Sequence, residues 1–172
     1  MGRLVLFALL AAVMAHVSAV TNICYVGYVM DSYCINRGTL FDNKAVESLS
    51  KQGPVLHSIH CLVDVAACRV SGYEVLAPAP TGTDFCRAHK LDQAGNDMVI
   101  ANARAIGMCS TCTGTQMNDY AVTIKGSIPD NPGVLPVLSV TSVESASTGC
   151  PPGTVTVPPA ARLSHGKSHT AR

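Results

Sequence analysis

Five side chains with ligand or acid–base chemistry fall within twelve residues of one another: His57, His60, Cys61, Asp64 and Cys68. Imidazoles and thiols in such a group allow three readings: a metal site, a reactive thiol, or anchors for disulfides. His57 and Cys61 are four apart, which places two ligands on one side of a helix. Cys86 and His89 form a Cys-x-x-His. A zinc site drawn from both would use His57, His60, Cys61 and His89. Against it stands the compartment, because an exported chain oxidises its thiols. Cys109 and Cys112 form a Cys-x-x-Cys, the spacing of a thiol–disulfide exchanger. Such a motif gains its low thiol pKa from a helix that begins at the first cysteine. Here a helix ends just before it, at Gly107, and Thr113-Gly114-Thr115 follows as turn chemistry.

The compartment is read from the first nineteen residues. Arg3 precedes an apolar run, Leu4 to Val17, which is short for a membrane helix and suited to a signal peptide. Val17-Ser18-Ala19 puts small residues where a signal peptidase cuts, so residues 1–19 are expected to be removed. Of 172 residues, 153 then remain, enough for one domain with a real core. Arg3 leaves with the leader, and 11 basic residues face 11 acidic ones. A neutral chain has no long-range field to gather nucleic acid or an acidic membrane. No later stretch suggests a span, and no apolar C-terminal tail suggests a lipid anchor. The expected location is secreted, in the extracellular space, with no membrane anchor after cleavage.

All eight cysteines lie beyond the cut: Cys24, Cys34, Cys61, Cys68, Cys86, Cys109, Cys112 and Cys150. An even number in an exported chain implies a disulfide framework, whose pairing sequence alone leaves open.

These residues need elements to hold them. Cys24 to Met30 is strand-like, and Asp31-Ser32 ends it. Arg37 to Asn43 is loop-like, and Asn43 to Ser50 suits a short helix ended by Gly53-Pro54. A continuous helix is expected over 58–70, with Ser58 as N-cap and Gly72 as the residue after its end. On its wheel Ile59, Leu62, Val63, Ala66 and Val70 form an apolar stripe, while Cys61, Asp64 and Cys68 lie opposite. Seven residues of helix would separate Cys61 and Cys68 by about 10.5 Å, beyond the roughly 7 Å limit for a disulfide. Each must then bond another segment, with Cys34 the preferred partner for one. The same rise keeps Cys68 from sharing a metal with His57.

Further on, Tyr73 to Ala77 and Asp84 to Lys90 are strand-like, and Leu91 to Asn96 is a turn. Asp97 to Ile106 is a helix. Tyr120 to Gly126 and Val134 to Val143 alternate at period two around a turn at Asp130-Asn131-Pro132-Gly133, a β-hairpin. From Ser145 onward Pro, Ser and Thr dominate. The expected organisation is a signal peptide over 1–19, one disulfide-stapled domain over 20–145, and a flexible tail over 146–172. The tail's His165 and His169 lack a fixed frame for a metal. Short strands with embedded helices, and no strand–helix–strand alternation with a Gly-rich turn, suggest a small barrel rather than a doubly wound sheet.

No Gly-x-Ser-x-Gly elbow and no His-Glu-x-x-His occurs, and Asp31, Asp64, Asp92 and Asp97 are scattered. Asp92 and Asp97 suit turns or caps. There is no tryptophan, and Tyr25, Tyr28 and Tyr73 are strand material rather than a stacking platform.

Gly27-Tyr28-Val29-Met30-Asp31-Ser32-Tyr33-Cys34 has the form G-x-x-x-D-x-x-C. His57, Cys61 and Cys68 followed by Ser71-Gly72-Tyr73 have the form H-x3-C-x6-C-x2-S-G-Y. With Leu91 to Asn96 and Val122 to Gly126, they resemble a broad group of small exported proteins found in bacterial genomes and lacking an assigned function. The resemblance covers about Tyr25 to Val143. It implies a compact barrel of the oligonucleotide/oligosaccharide-binding (OB) type with the cysteine helix packed on it, and it transfers no catalytic residue. The chain departs from that pattern in Cys24, Cys86, Cys109, Cys112 and Cys150.

The expectation is therefore an α+β, β-dominated fold: a small five-stranded OB-like barrel, a disulfide-tied helix packed on it, and a second short helix. The function expected is that of a non-enzymatic, disulfide-stabilised binding or structural module without a cofactor, taking an unknown extracellular ligand or matrix component. The alternatives are a metal-binding protein using the His/Cys cluster and thiol–disulfide exchange at Cys109 and Cys112.

Overall fold

A computed structural model of the chain describes residues 20–79, 81–107, 120–129, 135–152, 154 and 161–162. The leader, the Cys109/Cys112 pair, the turn at 130–133 and His165 and His169 lie outside the described residues.

The fold is α+β. Strand β1 (Val20–Asp31) pairs along Val20–Tyr28 with β4 (Ala121–Pro129), and over Tyr28–Asp31 with β2 (Tyr73–Pro78). Gly27 stands at the hand-over. A Cβ there would come within 2.6 Å of the Leu76 carbonyl oxygen, so only glycine lets the two backbones approach this closely. β2 pairs with β3 (Phe85–Leu91), and β4 with β5 (Val137–Ser145), all antiparallel. β3 and β5 meet in a short parallel register, Lys90 opposite Val137 and Leu91 opposite Leu138. Each of the five strands thus has two neighbours, and the pairing runs from β1 through β2, β3, β5 and β4 back to β1. The two-residue β6 (Ala161–Arg162) adds antiparallel to β3.

The hairpin expected around 130–133 is present as the β4–β5 ladder. The helix expected from Asp97 begins earlier, as the fifteen-residue α5 (Gln93–Gly107). Asp92 accepts from the Gly95 amide at 2.8 Å and starts it, so most of the expected 91–96 turn is helical.

The helical layer differs more. Asp31 ends β1 and, in an extended conformation, caps a six-residue helix, α1 (Ser32–Arg37), in a stretch to which the sequence reading assigned no element before the loop expected from Arg37. The expected helix over Asn43 to Ser50 is absent. A four-residue turn, α2 (Gly53–Leu56), starts where Gly53-Pro54 was expected to break one, because proline suits the first turn of a helix. The single helix expected over 58–70 is two: α3 (Ile59–Val63) and α4 (Ala66–Ser71), parted by Asp64 and an extended Val65. Val63, Asp64 and Val65 are all weak helix formers. The break ends the expected stripe. Ile59, Leu62 and Val63 are buried, but Ala66 is exposed and Val70 is 85% exposed.

Two cores result. The first is enclosed by the strands, α3 and α5, and includes Ile23, Tyr25, Val29, Leu62, Val75, Val99, Ile124 and Leu138. The second lies on the other face of β1 and β2, beneath the short helices: Met30, Cys34, Ile35, Leu40, Val46, Leu49, Cys61, Cys68 and Leu76. Val29 and Met30, like Val75 and Leu76, divide between the two cores as strand alternation requires.

A disulfide joins Cys24 in β1 to Cys150, 126 positions later. It ties the start of the Pro/Ser/Thr-rich segment to the sheet, and a 3-10 turn (Ala146–Thr148) leads into it. The segment from residue 146, expected as a flexible tail, carries the disulfide at Cys150, itself among the expected disulfide cysteines, and the strand β6 that pairs with β3.

Candidate metal centre

Cys34, Cys61 and Cys68 were expected to be disulfide partners. They are thiols in the structure, each fully buried. One ligand atom from each of Asp31, Cys34, Cys61 and Cys68 lies within 4.8 Å of all the others. The break at Val65 makes this possible, because a continuous helix would hold Cys68 about 10.5 Å along the axis from Cys61.

Two caps set the first two cysteines. Asp31 Oδ1 accepts from the Cys34 amide at 2.8 Å, and Ser58 Oγ accepts from the Cys61 amide at 3.1 Å. The same arrangement, a capping side chain three residues before a cysteine, thus occurs twice. Ser58 in turn donates to Asp42. The third cysteine is held through α4. Ser71 Oγ donates to the Cys68 carbonyl at 2.6 Å and accepts from the Tyr33 amide at 2.9 Å, and the Ser32 amide donates to the Gly72 carbonyl at 2.9 Å. Gly72, at φ +75°, takes a left-handed conformation that favours glycine. The end of α4 and the start of α1 are therefore clamped together.

His57 adjoins the cluster through Asp31. Its Nε2 lies 2.7 Å from Asp31 Oδ2, and both residues are almost wholly buried. Its Nδ1 is buried without a hydrogen-bond partner. Burial opposes a charge on this imidazole, yet the Asp31 carboxylate, with Cys34 and Cys61 beside it, raises its pKa well above the ordinary histidine range. Hydrogen bonds with Cys34 and Cys68, assisted by His57, pull the Cys61 thiol far below the usual thiol range. The bond to Cys61 raises Cys34, and bonds to Cys34 and Cys61 raise Cys68.

Of the metal set expected from sequence, only His57 and Cys61 belong here. His60 faces outward and pairs its Nδ1 with Asp64 at 3.2 Å. His89 sits in the first core, its Nε2 3.2 Å from the Tyr25 hydroxyl. Burial lowers its pKa to about 4, with the Pro136 carbonyl acting the other way. Cys86 is a buried thiol on β3 outside the trio. Cys86 and His89 lie opposite Ala77 and Val75, both in the first core, because an irregularity in the β2–β3 ladder offsets the alternation between them; neither joins the cluster at Asp31. Asp97 accepts from Gln93 on the exposed side of α5. Sequence reasoning missed Asp31 as a member of the cluster, although Asp31-x-x-Cys34 and Ser58-x-x-Cys61 both carry a capping signature.

A buried ion pair supports the centre from β2. Glu74 accepts from Arg87 Nε at 2.6 Å and Nη2 at 2.7 Å, and from Ser32 Oγ at 2.8 Å. It fixes the residue next to Asp31.

Compared with protein-family models, curated proteins and solved structures, the chain matches none. The site therefore rests on its own geometry.

Proposed function

We propose that this chain is an exported, non-enzymatic module in which Cys34, Cys61 and Cys68 hold a thiophilic metal ion as a structural or sequestering centre. The observation that carries this reading is the local count of sulfurs. Three thiols within 4.8 Å cannot all pair as disulfides, whereas three thiolates are a common part of a tetrahedral zinc set. An even cysteine number in the whole chain argues for pairing, but the pairing is decided locally, and this group is odd. Burial of all three sulfurs also shields them from oxidants, which answers the objection from compartment. Closed, buried sites of this kind are structural rather than catalytic.

The scaffold reading follows the strand order. A ring of β1, β2, β3, β5 and β4, with α5 between β3 and β4, supports an OB-like barrel. The disulfide at Cys24 and Cys150 supports an oxidising, extracellular location. No described helix is long and apolar enough to cross a membrane.

The test is elemental analysis of the full chain purified without chelator, together with a thiol count. One zinc per chain, with the trio shielded from alkylation until a chelator is added, is the expected result. A disulfide within the trio, or reactive trio thiols with no ion, would sink the reading.

A second role in ligand binding is favoured by a cleft of about 480 Å³ beside the centre, bordered by Ser32, Arg69, Lys90, Gln93 and Asn96. Its described lining contains two cations and no carboxylate, which suits a small anionic group on an extracellular ligand. Titration with a dicarboxylate or inorganic phosphate should move the amide signals of residues 69–72 and 93–96, and Arg69→Ala should abolish the movement. Unmoved signals at millimolar anion would remove this role.

A further inference from the structure

We infer that Asp31 is the fourth ligand of the centre, one carboxylate oxygen closing a set of three sulfurs, with His57 positioning that carboxylate from outside the set. This rests on the proposed metal role of the three cysteines and names the donor that completes it.

Placement carries the assignment. One Asp31 carboxylate oxygen and the sulfurs of Cys34, Cys61 and Cys68 all lie within 4.8 Å of one another. Donors around a tetrahedral zinc, at bonds of about 2.0–2.3 Å, stand roughly 3.5 Å apart or slightly more. The four atoms therefore need to close by little more than about an ångström. All four residues are wholly buried. Among the described residues, the partners of the Asp31 side chain are one amide and one imidazole, with no lysine or arginine. Buried carboxylates are paired with cations or coordinate metals, and three sulfurs beside this one point to the second.

Its two contacts aim the carboxylate and still leave it able to bind. Oδ1 accepts from the Cys34 amide at 2.8 Å, and Oδ2 accepts from His57 Nε2 at 2.7 Å. An ionised carboxylate has about four lone-pair sites on its two oxygens, so each oxygen keeps one for an ion. Ligating carboxylates are themselves held by outer hydrogen bonds of this kind. The two matched caps of the helical layer show what the carboxylate adds. Ser58 caps Cys61 as Asp31 caps Cys34, and a cap needs only an oxygen, which serine supplies as well as aspartate. Ser58 spends its hydroxyl hydrogen on Asp42. The cap that meets all three sulfurs is the one that brings a negative charge. Three thiolates and a carboxylate oxygen suit a borderline-soft divalent ion such as zinc. One ion would then join the end of β1, through Asp31, to α1, α3 and α4.

The experiment uses the full chain labelled with carbon-13 at aspartate carboxyls and nitrogen-15 at imidazoles, loaded with cadmium-113 as a zinc probe, with X-ray absorption on the zinc form. The expected set is three sulfurs and one oxygen. The Asp31 carboxyl signal should move on loading, and no histidine nitrogen should couple to cadmium. His57→Gln should keep the set and weaken affinity about 10–100-fold, as loss of an outer partner does. Asp31→Ser keeps a capping oxygen for the Cys34 amide and should weaken affinity beyond that range. A nitrogen or a fourth sulfur in the wild-type set, or an Asp31 carboxyl signal that loading leaves unmoved, overturns the assignment while leaving the thiolate centre standing. Failure of the wild-type chain to take up cadmium or zinc overturns the thiolate centre, and this assignment with it. The wild-type spectra need no variant to fold, so they decide the ligand by themselves.

Discussion

The two cores lie back to back on β1 and β2 and are built on different principles. The first is continuous apolar packing between long strands and a fifteen-residue helix. The second has three cysteines among its nine buried residues, and the helices that cover it are four to six residues long. Helices shorter than about 12–15 residues are marginal on their own in water. The first core can therefore stand on burial. The second needs cross-links, which its caps and clamps supply and the proposed metal at the sulfur centre would add to. Apolar area stabilises a large enclosed layer, whereas a thin layer of short segments depends on a few directional bonds.

This contrast can be broken most directly at the centre. On the proposed metal reading, stripping the ion from the wild-type chain, or Cys61→Ser, should expose the amides of residues 32–37 and 59–71 to hydrogen exchange while β1, β4 and β5 stay protected. With free zinc about a thousandfold above the dissociation constant, the layer stands to lose about 4 kcal/mol. Equal loss of protection in the strands would show that both cores unfold as one unit.

The next largest effect is expected at the ion pair between β2 and β3. Arg87→Met leaves the fully buried Glu74 with Ser32 alone and should cost roughly 3 kcal/mol in denaturant unfolding. Adding Glu74→Gln should recover much of that loss. An unchanged midpoint in the single variant would mean that Glu74 is solvated or neutral.

The disulfide sharpens the comparison from the other side. Replacing Cys24 and Cys150 together with serine should cost about 2–4 kcal/mol by freeing a long loop in the unfolded chain. Metal affinity should stay within about twofold, since neither residue touches the trio and distant sites act independently. A large fall in affinity would mean that the layers are coupled.

A further effect is expected from acid. Burial lowers His89 to about 4 in the folded chain, against 6.5 for the free side chain. The unfolded chain takes up a proton that the folded chain refuses. The contribution is thus complete above about pH 6.5 and is lost as the pH falls towards 4. His89→Phe should flatten the stability curve over that window, measured by thermal unfolding between pH 4 and 7. An unaltered curve would place the acid sensitivity elsewhere.

Legibility differed between the cores in the same way. Alternation in Tyr120 to Gly126 and Val134 to Val143 located β4 and β5, because a half-buried strand writes its two faces into every second residue. The helical layer has no such long-range pattern. One wheel drawn over 58–70 gave a plausible stripe, but a real helix ended at Val63 and another began at Ala66. Val70, placed in the apolar stripe, faces solvent. Short-range signals did survive: Ser58 caps α3 as expected, and Gly72 follows the end of α4 with a positive φ. The cap at Asp31 was written just as plainly in Asp31-x-x-Cys34, and pointed to a helix where none was expected.

The sequence by itself determined the strands, the export-type leader as an expectation, and which residue types were available for sulfur and imidazole chemistry. These depend on composition and on periodicities spanning a few residues, so no distant contact is needed to see them. Only the tertiary structure decided that Cys34, Cys61 and Cys68 meet beside Asp31 and His57 while His60 and His89 do not. That outcome turns on one extended residue, Val65, and on where β1 hands over from β4 to β2. Neither leaves a periodic trace in the chain, because each is fixed by packing between segments far apart in sequence.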